Sequence, residues 1–353
     1  MVYRSGMGTK GIVPAWRDTM EKMQMKATRY LKRALMLLAG ACVSLAGVGT
    51  VLAQAITIAT VPVGNPGNAP DTTGFGEVDY TYNIGQYDVT SSQYTAFLNA
   101  VASTDPYGVY NSAMGGTTDG DPGIIQSGSS GSYTYSVAAG RGNYPVTDVT
   151  FWDTTRFANW LDNGQPTGPE GAGTTETGTY TLTSSGINNN TVTRNAGATW
   201  AVTSENEWYK AAYYTPLGGT GNSNPNYWLY PTQSNTISPS QANYYYGQAG
   251  PYDTTPVGSY PYSSYYGTFD QGGEVFQWNE SIYSSPEYSD RGQRGGSFSR
   301  EGASQSSVLD GGPPSGDSDD IGFRVSQVPE PASVGILAFG LSGMLLRRRG
   351  MRR

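Results

Sequence analysis

Apolar residues at helical spacing, or capping residues, predict helices at three places in the middle of the chain. In the first, four apolar residues fall at positions i, i+3, i+4 and i+7: Tyr94, Phe97, Leu98 and Val101. This spacing places their side chains on one face of an amphipathic helix. Thr90 and Gln93 stand three positions apart just before the run, which is typical of a capping box. The pattern therefore predicts a helix that begins after Thr90.

Two further helices are predicted in the same way. One begins after Thr150, which pairs with Asp153 as a cap and is followed by three apolar residues on one face: Phe157, Trp160 and Leu161. The other begins after Thr203 or Ser204, because the acidic residues of its first turn suit the positive end of the helix dipole: Glu205 and Glu207.

A short strand-like run precedes each of these helices, at 80–89, 145–149 and 199–202. Gly, Ser, Asn and Pro dominate elsewhere, as in 168–185 and 216–240, and such composition is typical of loops. The chain between its two ends is therefore predicted to form one domain, 56–327. Its fold class is α+β, with few helices, short strands and much ordered loop.

An apolar run near the N-terminus has the pattern of a secretory signal. Basic residues between Lys26 and Arg33 precede a mostly apolar stretch at 34–53, and Ala53-Gln54-Ala55 supplies the small residues of a cleavage site. Residues 1–55 are therefore predicted to be an N-terminal extension and signal that engages the Sec export machinery. An uncleaved anchor, a start at Met25 and lipid attachment at Cys42 stay open.

Three features follow one another at the C-terminus: Pro329-Glu330-Pro331, an apolar stretch at 332–346, and the cluster Arg347-Arg348-Arg349. The apolar stretch is shorter than the roughly 20 residues that span a bilayer comfortably, and a plain tail anchor is one interpretation. The tripartite end, 328–353, resembles the PEP-CTERM sorting signal of Gram-negative bacteria. The resemblance implies export, recognition by an exosortase-type processing peptidase, and delivery to the cell envelope, cell surface or extracellular matrix. The membrane anchor would be transient or retained.

The 353-residue chain has no His and a single Cys, Cys42, and these counts exclude several kinds of chemistry. Without imidazole there is no Ser-His-Asp triad and no usual zinc or iron site. Between Ile56 and Glu330, eight Lys and Arg stand against 26 Asp and Glu, which gives a formal charge of −18. Because phosphate contacts need clustered basic residues, nucleic acid is not an expected partner.

Six segments of the middle region stand in a recognisable order: NIGQYDVTSSQY at 83–94, YPVTDVTFWD at 144–153, WAVTSENEW at 200–208, GEVFQWNE at 273–280, RGGSF at 294–298 and GFRV at 322–325. They resemble the motifs of the formylglycine-generating enzyme and sulfatase-modifying factor family. The resemblance covers nearly all of the middle region. It implies a C-type-lectin-like fold with short antiparallel strands, few helices and extensive loops.

The resemblance also implies what this chain lacks. In catalytic members of that family, two cysteines after the RGGS segment bind copper and oxidise a substrate cysteine. Here the segment continues from Phe298 to Gln305 as FSREGASQ, without a cysteine. Ser299 is no substitute for a thiolate, since a hydroxyl is neither soft nor readily deprotonated. No copper is therefore expected, and no residue is assigned a catalytic role.

Calcium is the metal that the resemblance still implies. Family members hold it with oxygen atoms near the segment that corresponds to 273–280 and with an upstream Asn. The corresponding donors here are Asn243, Tyr244 through its carbonyl, Asp253, Glu274, Gln277 and Asn279. Oxygen atoms from loops suit a hard cation, so a structural calcium site is predicted. The alternative is that these polar side chains only cap and brace turns.

Two other features leave alternatives open. The acidic stretch 317–320 is similar to a cation loop but lacks the Gly and Glu spacing of an EF-hand, and we interpret it as solvated. The tyrosine clusters at 244–246 and 260–266 are suited to stacking on sugars, although packing within a Tyr-rich core is the favoured interpretation.

Together these features predict an exported, surface-sorted, non-catalytic binding or structural module. Surface polysaccharide and surface proteins are the expected partners. Two alternatives remain. One is an enzyme of unknown type on this scaffold, either carboxylate-based or with a divergent sulfatase-modifying activity. The other is a calcium-assisted glycan-binding protein.

Overall fold

The computed structural model describes residues 55–116, 123–221, 223–244, 253–284, 289–300 and 310–328. Apart from Ala55 and Val328, the predicted signal segment and the predicted sorting segment lie outside these residues, and so do Tyr245 and Tyr246. Within the described ranges, no helix is both long enough and apolar enough to cross a bilayer.

Three helices begin where the capping patterns predict. Helix α1 (Ser91–Val101) follows Thr90 and helix α2 (Phe151–Asp162) follows Thr150, each with a reciprocal capping box. A five-residue helix, α3 (Ser184–Asn188), was not predicted. Helix α4 (Glu205–Tyr213) follows Ser204, which also forms a capping box and so decides between the two predicted caps.

Ten strands lie in the described residues: β1 (Thr60–Val63), β2 (Tyr82–Gly85), β3 (Ile124–Ser127), β4 (Thr134–Val137), β5 (Trp200–Val202), β6 (Phe276–Ser284), β7 (Ser289–Arg294), β8 (Asp310–Gly312), β9 (Ile321–Phe323) and β10 (Val325–Gln327). They form an antiparallel sheet of order β1-β2-β10-β5, a β3-β4 hairpin, and a second sheet of order β8-β7-β6-β9. In the second sheet β6 and β9 pair in parallel, whereas the other pairs are antiparallel. The predicted α+β fold with short strands is therefore confirmed.

The largest buried cluster packs α1 against α2. The rings of Tyr94 and Phe97 lie 5.9 and 5.5 Å from that of Phe157, measured between centroids. Phe323 of β9 packs edge-on against Phe157 at 5.3 Å. Such ring pairs contribute about 0.5–1.5 kcal/mol each beyond the area they bury. The predicted apolar face of α1 is thus the centre of the core, and it holds the end of β9 in place.

One predicted strand is wrong. Residues 145–149 contain no strand, and Pro145 makes only an isolated bridge with Thr90. Asp148 has a φ of 58°, in the left-handed region, and such a residue cannot continue an extended strand. Its backbone N–H instead bonds the carbonyl of Ser318. The turn is therefore set by a contact that is distant in sequence.

Candidate functional site

Arg324 is the single residue between β9 and β10, so it lies where the two four-stranded sheets meet. Its side chain is fully buried and donates to Gln277 Oε1 at 2.6 Å, to Asp88 Oδ1 at 3.2 Å and to backbone carbonyls. Gln277 Oε1 also accepts from the indole N–H of Trp208 at 2.6 Å. The oxygen of this predicted calcium ligand is therefore engaged by two N–H donors.

Three other predicted ligands lie together in a second network. The amide of Asn243 donates to the carbonyl of Asp253 at 2.9 Å and to Glu274 Oε2 at 3.0 Å. Thr255 donates to Glu274 through both its backbone N–H and its hydroxyl. The guanidinium of Arg141 holds the carboxylate of Asp253 with two bonds of 2.9 and 3.0 Å. The structure thus brings Asn243, Asp253 and Glu274 together.

The remaining predicted ligands make other contacts. Asn279 lies on β6, where its Oδ1 accepts from the backbone N–H of Ser281 at 2.9 Å. It packs directly against Gly292 of β7, because a Cβ at that glycine would lie 2.3 Å from Asn279 Oδ1. Tyr244 follows Asn243 in the sequence, and its side chain is buried. Asn279 is therefore braced within the second sheet by local contacts of its own.

Calcium requires six to eight oxygen ligands at once. In the arrangement described above, the side-chain oxygens of Asp253, Glu274 and Gln277 accept hydrogen bonds from protein donors. Among the described ranges no group of three or more acidic, His or Cys side chains is placed to hold a metal. These hydrogen bonds would have to open before an ion could bind, so the donor set fits calcium poorly as it stands. Calcium binding here stays a prediction.

Two carboxyls, that of the buried Glu274 and that of the half-buried Asp270, line a small recess with a volume of about 10 Å³ between the loops. Burial, with the nearby charge of Asp270, raises the pKa of Glu274 to about 8. Burial also raises the pKa of Asp270 to about 6, although it accepts a 2.7 Å bond from the backbone N–H of Gly258. Glu274 therefore keeps its proton near neutral pH while Asp270 is mostly ionised, and carboxyls with such perturbed pKa values in a recess are candidates for a functional role.

The raised pKa of Glu274 predicts a stability that falls with pH. Its pKa is about 8 in the folded state and 4.5 in the unfolded state. Between these two pH values the folded state holds a proton that the unfolded state has lost. The stability from this group is complete below about pH 4.5 and is lost as the pH rises through 8, by an amount on the order of a few kcal/mol. We expect Glu274→Gln to flatten the fall in melting temperature between pH 5 and 8.

The matched control is Glu77→Gln, since Glu77 is exposed. Both variants and the parent would be unfolded thermally at several pH values. A Glu274→Gln curve with the full slope of the parent would contradict the prediction.

The turn after β7 presents two serine hydroxyls to one carboxylate. Gly295 and Gly296 both have positive φ, and the chain then turns so that Ser297 and Ser299 donate to Asp320 Oδ2 at 2.8 and 2.7 Å. A carboxylate is a weak base, and no imidazole exists in the chain to activate a hydroxyl as in a Ser-His pair. These bonds brace the turn that follows β7.

The acidic stretch 317–320 is not wholly solvated, contrary to what the sequence suggested, because Asp320 is buried. Its side chain is buried, 7% exposed, because the residue leads directly into β9 and its carbonyl accepts from the backbone N–H of Phe276. The sequence did not predict that Asp320 accepts hydrogen bonds from Ser297 and Ser299. The only available signal was the position of Asp320 immediately before the GFRV segment.

The fold and these networks define a loop-rich α+β domain in which a buried arginine joins two sheets. Residues 69–328 match the Sulfatase-modifying factor enzyme 1-like domain, and the chain belongs to this family. Residues 327–349 match the PEP-CTERM protein-sorting motif. This motif supports export and a location at the cell envelope or surface, and it implies processing by an exosortase-type system.

Solved structures share this fold. One, titled "Crystal Structure of CarF", has 20% identity and a TM-score of 0.50, and the match covers 78% of this chain and all of that one. Treponema denticola variable protein 1 has 17% identity and a TM-score of 0.50, over 78% of this chain and 97% of the other. PvdO from Pseudomonas aeruginosa, at 20% identity, reaches a TM-score of only 0.42 over 77% and 92% of the two chains. At these identities the first two likenesses show the fold alone, and the third carries no argument. No curated protein matches the sequence significantly.

Proposed function

We propose that this protein is a non-catalytic binding or structural module of the cell surface or extracellular matrix. The observation that carries the proposal is the RGGSF turn, where Ser297 and Ser299 bond Asp320 and no thiolate follows. Copper-dependent cysteine oxidation needs soft, readily ionised ligands. The only cysteine of the chain, Cys42, lies in the predicted signal segment. The family scaffold is thus present without the groups on which that oxidation depends.

The experiment that tests this proposal is an oxidation assay with the protein purified after export. A cysteine-containing peptide is incubated with the protein, copper and oxygen, and the peptide mass is followed. We expect no more oxidation than with copper alone. A catalytic member of the family serves as the positive control. Protein-dependent conversion of the cysteine would overturn the proposal.

A second candidate, a carboxylate-based enzyme, is favoured by one observation. Asp270 and Glu274 line the same recess with pKa values raised to about 6 and 8, as a proton donor and acceptor pair would require. The recess has the volume of about one water molecule, which leaves little space for a scissile bond. Turnover of a glycoside that is abolished in both Asp270→Asn and Glu274→Gln would support this candidate over the first.

A further inference from the structure

The chain between Lys210 and Asp270 contains one charged residue, Asp253. That residue is held by the bidentate contact with Arg141. The stretch is therefore nearly uncharged, although the domain to which it belongs carries a formal charge of −18. Charged surfaces steer and select ionic partners. The stretch itself therefore offers an ionic ligand little charge of its own to bind.

Exposed apolar side chains concentrate on this same stretch. In the described ranges it carries four of the large ones, with exposures of 79, 42, 42 and 37%: Leu217, Leu229, Tyr262 and Tyr265. Isolated exposed apolar residues are ordinary, whereas their clustering marks interaction sites. Packing within the core, the favoured interpretation of the 260–266 cluster, does not account for Tyr262 and Tyr265, which remain exposed.

Contacts with two other parts of the chain fix the segment that carries Tyr262 and Tyr265. Gln233 Nε2 donates to the carbonyl of Ser263 at 3.1 Å. The rings of Tyr214 and Tyr266 stack with centroids 6.5 Å apart at 12°, and Tyr265 packs edge-on against Tyr266 at 5.2 Å. The aromatic faces are thus held by a fixed framework. We call Tyr262 and Tyr265 with this framework the tyrosine surface.

A polar recess adjoins the tyrosine surface. Tyr262 and Thr232 both line the recess that also contains Asp270 and Glu274. The hydroxyl oxygen of Thr232 is buried and has no hydrogen-bond partner in the part of the chain that the structure describes. A buried polar atom without a partner costs about 1–3 kcal/mol. The recess has room for about one oxygen-sized group, so a hydroxyl of a bound ligand would satisfy it.

We propose that the tyrosine surface binds a neutral polysaccharide, with sugar rings on the exposed faces of Tyr262 and Tyr265 and a sugar hydroxyl at the recess. A pyranose presents an apolar C–H face to an aromatic ring and hydroxyl edges to polar groups. Polyanions would be repelled by the net charge, and the same charge opposes association with a second copy of the chain. This inference rests on the proposed function as a binding module and names its ligand class.

The experiment is affinity gel electrophoresis of the exported protein in gels that contain a soluble polysaccharide. Neutral probes are mannan, galactomannan and hydroxyethyl cellulose, and the charged comparison is alginate. We expect retardation in at least one neutral gel and none in alginate. Tyr262→Ala and Tyr265→Ala should each weaken binding about ten-fold, as truncation of a central aromatic at an interface does. Tyr262→Trp keeps an aromatic face and should retain binding.

Tyr107→Ala is the matched control, because Tyr107 is also exposed but lies over Arg156, on a segment outside the tyrosine surface. Added salt and a calcium chelator should leave retardation unchanged, and loss of binding with the chelator would support the calcium-assisted alternative instead. The inference is overturned if no neutral polymer retards the protein, if alginate does so instead, or if Tyr107→Ala has the same effect. Because the oxidation assay is separate, an inactive protein that binds no polysaccharide refutes this inference and leaves the proposed function intact.

Discussion

Replacing Arg324 by Ala should destabilise the folded protein by about 3–5 kcal/mol, since removal of one partner from a buried ion pair leaves the other without compensation. Asp88 is fully buried with it; burial raises the pKa of Asp88 to about 8, and Arg324, which opposes this rise, is its only cationic contact among the described side chains. Gln277 and the backbone carbonyls around it would lose a donor as well. Because Arg324 lies between β9 and β10, both sheets should be affected.

The measurement is urea denaturation of the parent and the variant at pH 7, with Arg300→Ala as the control. Arg300 is exposed, so its replacement should change the free energy of unfolding by no more than about 0.5 kcal/mol. Arg324→Lys should recover little, because an ammonium lacks the planar fork that reaches several acceptors. Equal stabilities for the two alanine variants would show that Arg324 does not brace the sheets.

Glu207→Ala should have a comparable cost, again about 3–5 kcal/mol. Glu207 is fully buried and accepts two bonds of 2.9 Å from Arg194, one of 2.7 Å from Tyr80 and one of 2.9 Å from Ser326. It also closes the capping box of α4 by accepting from the backbone N–H of Ser204 at 2.7 Å. The truncation therefore removes one of the two carboxylates that bind Arg194, leaving only that of Glu280, and it removes a helix cap at the same time.

This residue also predicts an acid sensitivity of known sign. Burial by itself would raise the pKa of Glu207. The guanidinium of Arg194 and the hydrogen bonds outweigh burial and lower this pKa from 4.5 to about 2. The stability that Glu207 contributes is present above about pH 4.5 and is lost as the pH falls through 2. Urea denaturation of parent and variant at pH 7 and pH 3 should show a smaller difference at the lower pH. The control, Glu77→Ala, replaces an exposed carboxylate and should match the parent at both values.

The candidate site shows where sequence reasoning was sufficient. The GFRV and RGGSF segments located Arg324 and Ser297 in the right order, and the missing thiolates were evident from composition. The partners of these residues were not evident. That Gln277 shares its oxygen between Arg324 and Trp208 depends on residues 47 and 69 positions away. No local pattern records such a pairing.

The sequence by itself determined three of the four described α-helices, because caps are local properties: Thr90 and Thr150 begin α1 and α2, and α4 begins at one of its two predicted caps, Ser204. It also determined the excluded chemistry, since a chain without His or a second Cys cannot assemble their sites. Only the tertiary structure decided that Asp148 turns, that Arg141 binds Asp253, and that Tyr262 and Tyr265 face outward. Each of these outcomes depends on which distant segments pack together. The free energies of burial and of side-chain pairing depend on that packing, and they override the local preferences of neighbouring residues.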